Sequence, residues 1–363
     1  MSEQSKSRER RSWEAVPFNP QDLPATARFF KEQYGGAGRY GSSDLFRWKI
    51  LENYVDPGIL NLVKDADEVI ATTSVTPKRL FFKGAERIVA EIGDTYTHPS
   101  YQRQGIFTLL VSQSTKEALE RNIRLIYGTP NSKSLPGYEK KASYKTIQGI
   151  SVKSLCLPLR VKPFIQKRTH WLVGRYADSI FSTAVYGRFL AKRVLSWQGR
   201  SDVEEIECIP NEWNTFWERS RQDFDFIFCR DKQAVHWRFF ENPNKYRFYV
   251  LRKDGQIVGY VVYRIVFDIE VARLLISDFL FLPGHEKDLT VLLFRVLEDA
   301  LHADVATVNA WCPKGNAYFG ILREFGFFQR SHVPVISFQN DFALEVQDSC
   351  HTWHFTLSDS DNV

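Results

Sequence analysis

Between Ile106 and Arg121, apolar and small residues recur at Phe107, Leu110, Val111, Ser114 and Ala118. This spacing of three and four lines one face of an α-helix. A strand-like run from Ile88 to Thr97 precedes it and is closed by Pro99, and a second run from Ile123 to Tyr127 follows.

The same order of elements returns downstream. Trp48-Lys49-Ile50-Leu51-Glu52-Asn53 is matched by Trp237-Arg238-Phe239-Phe240-Glu241-Asn242, an offset of 189 (237 minus 48), and Pro57 or Pro243 follows within a few residues. Strand-like runs come next, Ile59 to Val63 and Val69 to Leu80 in the first half, Phe248 to Leu251 and Ile257 to Ile265 in the second. A further strand carries Asp94 or Asp278, 184 residues apart (278 minus 94), and leads through a turn with proline into a periodic helix. Asn131 to Tyr144 is then matched by Asn316 to Phe327, at about the same offset (316 minus 131 is 185). Concordant offsets predict two copies of one α/β unit.

Composition agrees with this reading. A chain of 363 residues, 44% hydrophobic and 14% aromatic, is longer than one ordinary domain and can bury a sizeable core. A net charge of +5 falls short of a nucleic-acid-binding surface. Five cysteines without paired spacing suggest neither a zinc site nor a disulfide framework, so no metal is expected and a reducing, cytoplasmic location fits best. No apolar run approaches the roughly 18 residues of a membrane span, so no stable membrane insertion is expected. Residues 1–14 read as a polar tail. Residues 151–201 read as a basic helical connector, with Lys162, Lys167, Arg168, Arg188 and Arg193 among aromatics, and residues 346–363 as a C-terminal tail.

The chemistry gathers where the first strand meets its helix, at Tyr101-Gln102-Arg103-Gln104-Gly105-Ile106. A helix start presents unbonded N–H groups and the positive end of its dipole, an anion cradle to which Arg103 adds a cation. Neither common phosphate-binding motif is present in this loop. The loop resembles the GNAT superfamily of acyl-CoA transferases, whose pyrophosphate loop has Gln or Arg, two residues, Gly, one residue, then Gly or Ala. Gln102 and Gly105 stand in that pattern behind His98-Pro99, with Phe107 where the family has its second small residue. Asn131, Tyr138-Glu139-Lys140 and Tyr144 are similar to the family's later signature, with Ser143 in place of its usual glycine.

The resemblance, over roughly Phe18 to Ile150, implies an α/β fold of two tandem GNAT-like domains, 15–150 and 202–345. Each is a mixed, mostly antiparallel twisted sheet with flanking helices and a splayed parallel strand pair. It implies acyl-CoA as acyl donor, bound by Tyr96, Thr97, Gln102, Arg103, Gln104, Gly105, Ile106, Phe107 and Asn131, and direct attack by an acceptor amine. It implies Tyr138 as general acid, against the alternative of a packed aromatic. Glu91, Asp94 and His98 are candidate bases, each with a structural alternative, and residues three apart on a regular strand face opposite ways, so Glu91 and Asp94 are not both expected in the cleft. His98, before a proline, is equally read as a turn residue.

The second copy has Pro283-Gly284-His285-Glu286-Lys287-Asp288-Leu289 at the loop position and Leu322 where Tyr138 stands, so a single acyl-CoA per chain is expected. That copy is expected to bind the acceptor through Trp237, Arg238, Tyr246 and Arg247. Tandem members of the family suggest a nucleotide-linked amino sugar as acceptor. A peptide or protein amine, or a non-catalytic acyl-CoA-binding protein, is the alternative. Oligomeric state stays open.

Overall fold

The computed structural model describes residues 13–33, 42–161, 202–267 and 271–360, together with Asp178, Ile180, Phe181 and Gly187. The basic residues of the expected connector, including Lys162 and Arg193, and the first twelve residues lie outside the described residues.

Strands β1 (Glu14–Pro17), β2 (Ile59–Asp65), β3 (Glu68–Phe82), β4 (Ala85–Thr97), β5 (Leu125–Gly128) and β6 (Tyr144–Thr146) build most of the first sheet. β7 (Val152–Pro158), β8 (Asp202–Glu205), β10 (Arg247–Lys253), β11 (Gln256–Phe267), β12 (Ala272–Phe281), β13 (Thr307–Pro313) and β14 (Phe328–Val333) build the second. The first sheet also takes β9 (Phe226–Phe228), β15 (Ile336–Phe338) and β16 (Trp353–His354). Neighbours are mostly antiparallel; each sheet holds a parallel pair at its centre, β4 with β5 and β12 with β13, and in the first sheet β16 also pairs parallel with β9. The helices are α1 (Leu23–Gln33), α2 (Ser43–Phe46), α3 (Ile106–Glu120), α4 (Leu135–Lys141), α5 (Trp213–Ser220), α6 (Lys232–Val235), α7 (Leu289–His302), α8 (Ala317–Phe325) and α9 (Asp341–Ser349).

The repetition read from the sequence is a repetition of structure. The two hexamers begin in equivalent helical turns, Arg47–Leu51 and His236–Phe240, and α3 and α7 follow equivalent strands. Both strands of the Asp pair are bulged. In the first sheet Thr72 pairs with Tyr96 and Ser74 with Gly93, so Asp94 and Thr95 together oppose Thr73. In the second, Val262 pairs with Asp278 and Tyr263 with Ile276, leaving Ser277 extra. An extra residue re-aims the side chains beyond it.

Domain boundaries differ from the expectation. β7, the start of the expected connector, lies between β13 and β14 in the second sheet, and β15 lies between β5 and β6 in the first. The second sheet therefore takes β7 from the first half, and the first takes β9, β15 and β16 from the second. The residues expected as a C-terminal tail are packed: Phe355, Thr356, Leu357 and Ser360 are buried, because apolar positions in this segment fill the space beside β9 and β12. At the other end the expected tail stops short of Glu14, which pairs with Lys64 in β1 and β2, and Trp13 Nε1 donates to Gln104 Oε1 at 2.9 Å.

Candidate active site

β4 and β5 pair only from Val89 to Glu91 against Leu125 to Tyr127. Beyond that they splay, and the main-chain groups of Ile92 to Thr95 have no strand partner on the β5 side. Gly128 sits at the fork: a Cβ there would lie 3.0 Å from Ile92 O, so only glycine lets the strands approach before they part. A cleft of about 560 Å³ opens from this fork.

The bulge brings both acidic candidates to the cleft, correcting the expectation that only one would face it. Asp94, at φ 48°, receives Ser74 Oγ at 2.7 Å and pairs with the buried Lys49, the second residue of the first hexamer. Glu91 is 2% exposed and accepts from Lys78 Nζ at 2.6 Å. Lys78 also donates to Tyr127 Oη at 3.1 Å and to Asp359 O at 3.0 Å, so the C-terminal segment is tied to the wall of the cleft. Thr129 and Ser360 add a hydroxyl contact of 2.6 Å across the same seam. Each carboxylate is compensated by a lysine, which is what makes its burial tolerable.

Tyr138, on α4, lines the cleft with its hydroxyl 2.7 Å from Thr95 Oγ1. Burial pushes its pKa well above the ordinary value, so the phenol is protonated at neutral pH. Phe107 meets its ring edge-on with centroids 5.2 Å apart, and a Cβ on Gly137 would lie 2.9 Å from the Phe107 ring. Phe107 thus packs on the Tyr138 ring, with Gly137 making the space. Asn131 also lines the cleft, and its Oδ1 accepts from Lys133 N at 2.9 Å and Ser134 N at 3.1 Å, fixing the turn that starts α4.

His98 is not a lining residue; its Nδ1 accepts from Ser100 N at 3.2 Å, which is the turn role. Gly105 is the N-cap of α3 at φ 86°, and the space where a Cβ would stand is open. Its need for glycine is conformational. The first turn of α3, from Ile106, leaves N–H groups without intrahelical acceptors, beside Arg103 at φ 68° and Gln102, whose amide donates to Thr97 O at 3.1 Å. Tyr96 Oη donates to Gln33 Oε1 at 3.1 Å. These residues fit a pyrophosphate at the helix start.

The expected acceptor residues stand elsewhere. Trp237 is buried against Trp48, and Arg238 donates to Ser360 O at 2.8 Å. Tyr246 packs edge-on with Phe239, and Arg247 is held by both oxygens of Glu205, at 2.7 and 2.6 Å. The second half instead lends the cleft Trp311, His332, Val333 and Pro334. Sequence reasoning missed these residues, although Trp311 alternates outward from a buried strand.

In the second copy the equivalent cleft is filled. The C-terminal segment packs against β12, where Arg230, 3% exposed, donates to Asp278 and to Asp359 at 2.8 to 3.3 Å and Tyr260 Oη donates to Asp278 at 2.7 Å. In the turn before α7, Asp288 accepts from Lys253 at 2.7 Å and Glu286 accepts from Gly284 N at 3.0 Å, so two carboxylates stand beside the helix start. Among the described residues no group of three His, Cys, Asp or Glu is placed to hold a metal, and no helix is long and apolar enough to cross a membrane.

Residues 16–145 match the family model of the acetyltransferase (GNAT) domain. Curated proteins give no match by sequence. Among solved structures the chain is similar to a probable N-acyltransferase from Enterococcus faecalis V583, at 10% identity and TM-score 0.58, covering 90% of this chain and 72% of that one. A GCN5-related N-acetyltransferase from Anabaena variabilis is similar at 14% identity and TM-score 0.56, with the same coverage. Saccharomyces cerevisiae N-myristoyltransferase with bound myristoyl-CoA is similar at 14% identity and TM-score 0.60, covering 90% of this chain and 78% of that one. Residues 16–145 thus match the acetyltransferase (GNAT) domain model, and the chain shares its fold with these solved structures.

Proposed function

We propose that the protein transfers an acyl group from acyl-CoA to a primary amine by direct attack, using the first copy alone. The observation that carries this reading is the fork between β4 and β5, with Tyr138 and Thr95 at its mouth and the Gly105-capped helix beside it. The N–H groups at the start of α3 and Arg103 would hold the pyrophosphate, and the main-chain groups of Ile92 to Thr95 would take the pantetheine arm as an added strand takes a sheet edge. Bound acyl-CoA supplies an acyl group activated as a thioester.

The acceptor must be neutral to attack. An amine with a pKa near 8 is about 10% neutral at pH 7, a lysine-like amine near 10.4 only about 0.04%, so a weak base suffices for the first. As the C–N bond forms and the C–S bond breaks, Tyr138 donates its proton to the departing sulfur. The proton lost by the amine returns to Tyr138 through solvent on the side lined by Glu91 and Asp94. No covalent enzyme intermediate is required.

A nucleotide-linked amino sugar, expected as acceptor by analogy with tandem members of the family and to be bound by Trp237, Arg238, Tyr246 and Arg247, draws no support from the positions of these four residues. Incubating the protein with an acyl-CoA and a panel of amines, and identifying the amide by mass spectrometry, tests the reading. An N-acylated amine formed in proportion to protein is expected; acyl-CoA unchanged across the panel would refute it.

A further inference from the structure

The described residues that line the cleft have an uneven chemistry. Glu91, Asp94, His332 and Tyr138 are their titratable groups, and no lysine or arginine is among them. Lys78 and Lys49 compensate the two carboxylates from within the wall. Among the described lining residues no cation would offset the desolvation of a diphosphate placed here. A donor-rich, cationic or neutral amine meets acceptors instead.

The second-half wall has a particular form. On β13 the alternation is regular: Val308, Ala310 and Cys312 face the core, whereas Asn309 and Trp311 turn the other way and are half-buried. Trp311 forms the cleft wall with Pro334, and Phe30 of α1 lines it from the first half. His332, on β14 beside it, has Nδ1 3.0 Å from Val152 O. Lys153 Nζ, 3.4 Å from the same Nδ1, is not a lining residue.

We infer that the acceptor is a primary amine on an apolar or aromatic body without phosphate, seated on Trp311 with His332 hydrogen-bonded to it. The inference rests on the N-acyltransferase reading but concerns the acceptor class alone. Trp311 supplies area and a π-face to an apolar group or an ammonium, and His332 supplies orientation.

Calorimetry on the full chain, preloaded with CoA, separates the possibilities. The probes are 2-phenylethylamine, glucosamine and a nucleoside-diphosphate glucosamine. The phenylethylamine is expected to bind at least about tenfold more tightly than the nucleotide sugar, and Trp311→Ala to weaken it by about tenfold or more with acyl-CoA affinity unchanged. Trp311→Phe, which keeps an aromatic face, should retain most of the binding, and His332→Ala should weaken it while sparing acyl-CoA. Equal or tighter binding of the nucleotide sugar, or phenylethylamine binding indifferent to Trp311→Ala, overturns the inference. Phenylethylamine that binds as expected but is never acylated leaves the acceptor class standing and removes the catalytic reading.

Discussion

The indole rings of Trp48 and Trp237 stack across the boundary between the two halves, with centroids 4.3 Å apart and planes 17° apart. Trp48 Nε1 donates to Trp237 O at 2.9 Å, and Trp237 Nε1 donates to Glu52 O at 3.0 Å. Equivalent positions of the two copies are thus each other's principal partners. Trp237→Ala should cost about 3–5 kcal/mol in denaturant unfolding, as large aromatic truncations in cores do. Adding Trp48→Ala should cost less than a second independent loss, because the contact is already gone. Additive losses would place the strength of the boundary elsewhere.

Tyr138→Phe removes one hydroxyl and leaves the ring against Phe107 and Tyr144. Turnover should fall by about 100-fold, the lower range for a positioned acid, with acyl-CoA affinity changed little. Steady-state kinetics with calorimetry on the same preparation checks the split. Equal turnover would return Tyr138 to a packing role.

Gly105→Asp places a carboxylate at the start of α3 and also strains φ, whereas Gly105→Ala imposes the strain alone. Acyl-CoA affinity should fall far more for Asp than for Ala. Titration of the parent protein should give one acyl-CoA per chain, since in the second copy Glu286 and Asp288 stand just before the helix and the C-terminal segment fills the space beside β12. A second site of equal affinity would contradict this division.

Much of the fold was legible because each copy repeats the same local rules: the Trp hexamer, the strand runs and the helices after the bulged strands all lie where the pattern put them. The exchange of β7 and β15 was not legible, since a strand's apolar pattern fixes its buried face and leaves its partner open. The orientation of Asp94 was misread for a related reason. Strict alternation holds only without a bulge, and the one available signal was Gly93-Asp94, turn-prone residues inside a strand. Trp237 and Tyr246 attracted a binding role as aromatics but are spent on packing, whereas Trp311 and His332 become a wall only through the crossing of the chain.

His354 gives the protein a pH dependence. It is 1% exposed, its Nε2 stands 3.9 Å from Asp278 Oδ1, and the rings of Phe224, Phe279 and Tyr318 surround it. Burial lowers its pKa below the ordinary value of about 6.5. Below that pH the unfolded chain binds a proton that the folded chain refuses. Stability from this group is therefore complete above about pH 6.5 and declines as pH falls toward the folded-state pKa, by up to about 1.4 kcal/mol per pH unit. Replacing the imidazole in His354→Phe should flatten that part of the stability profile; an unchanged slope in urea melts from pH 7 to 5 would assign it to other groups.

The first copy is expected to turn over an acyl-CoA thioester with an amine. Free thiol, followed with a chromogenic reagent while 2-phenylethylamine is titrated against a fixed acyl-CoA, measures it directly. Thiol release that rises and saturates with amine, and that falls by about 100-fold in Tyr138→Phe, is the expected result. Thiol release no faster with amine than without it, in protein that binds acyl-CoA, would contradict the account.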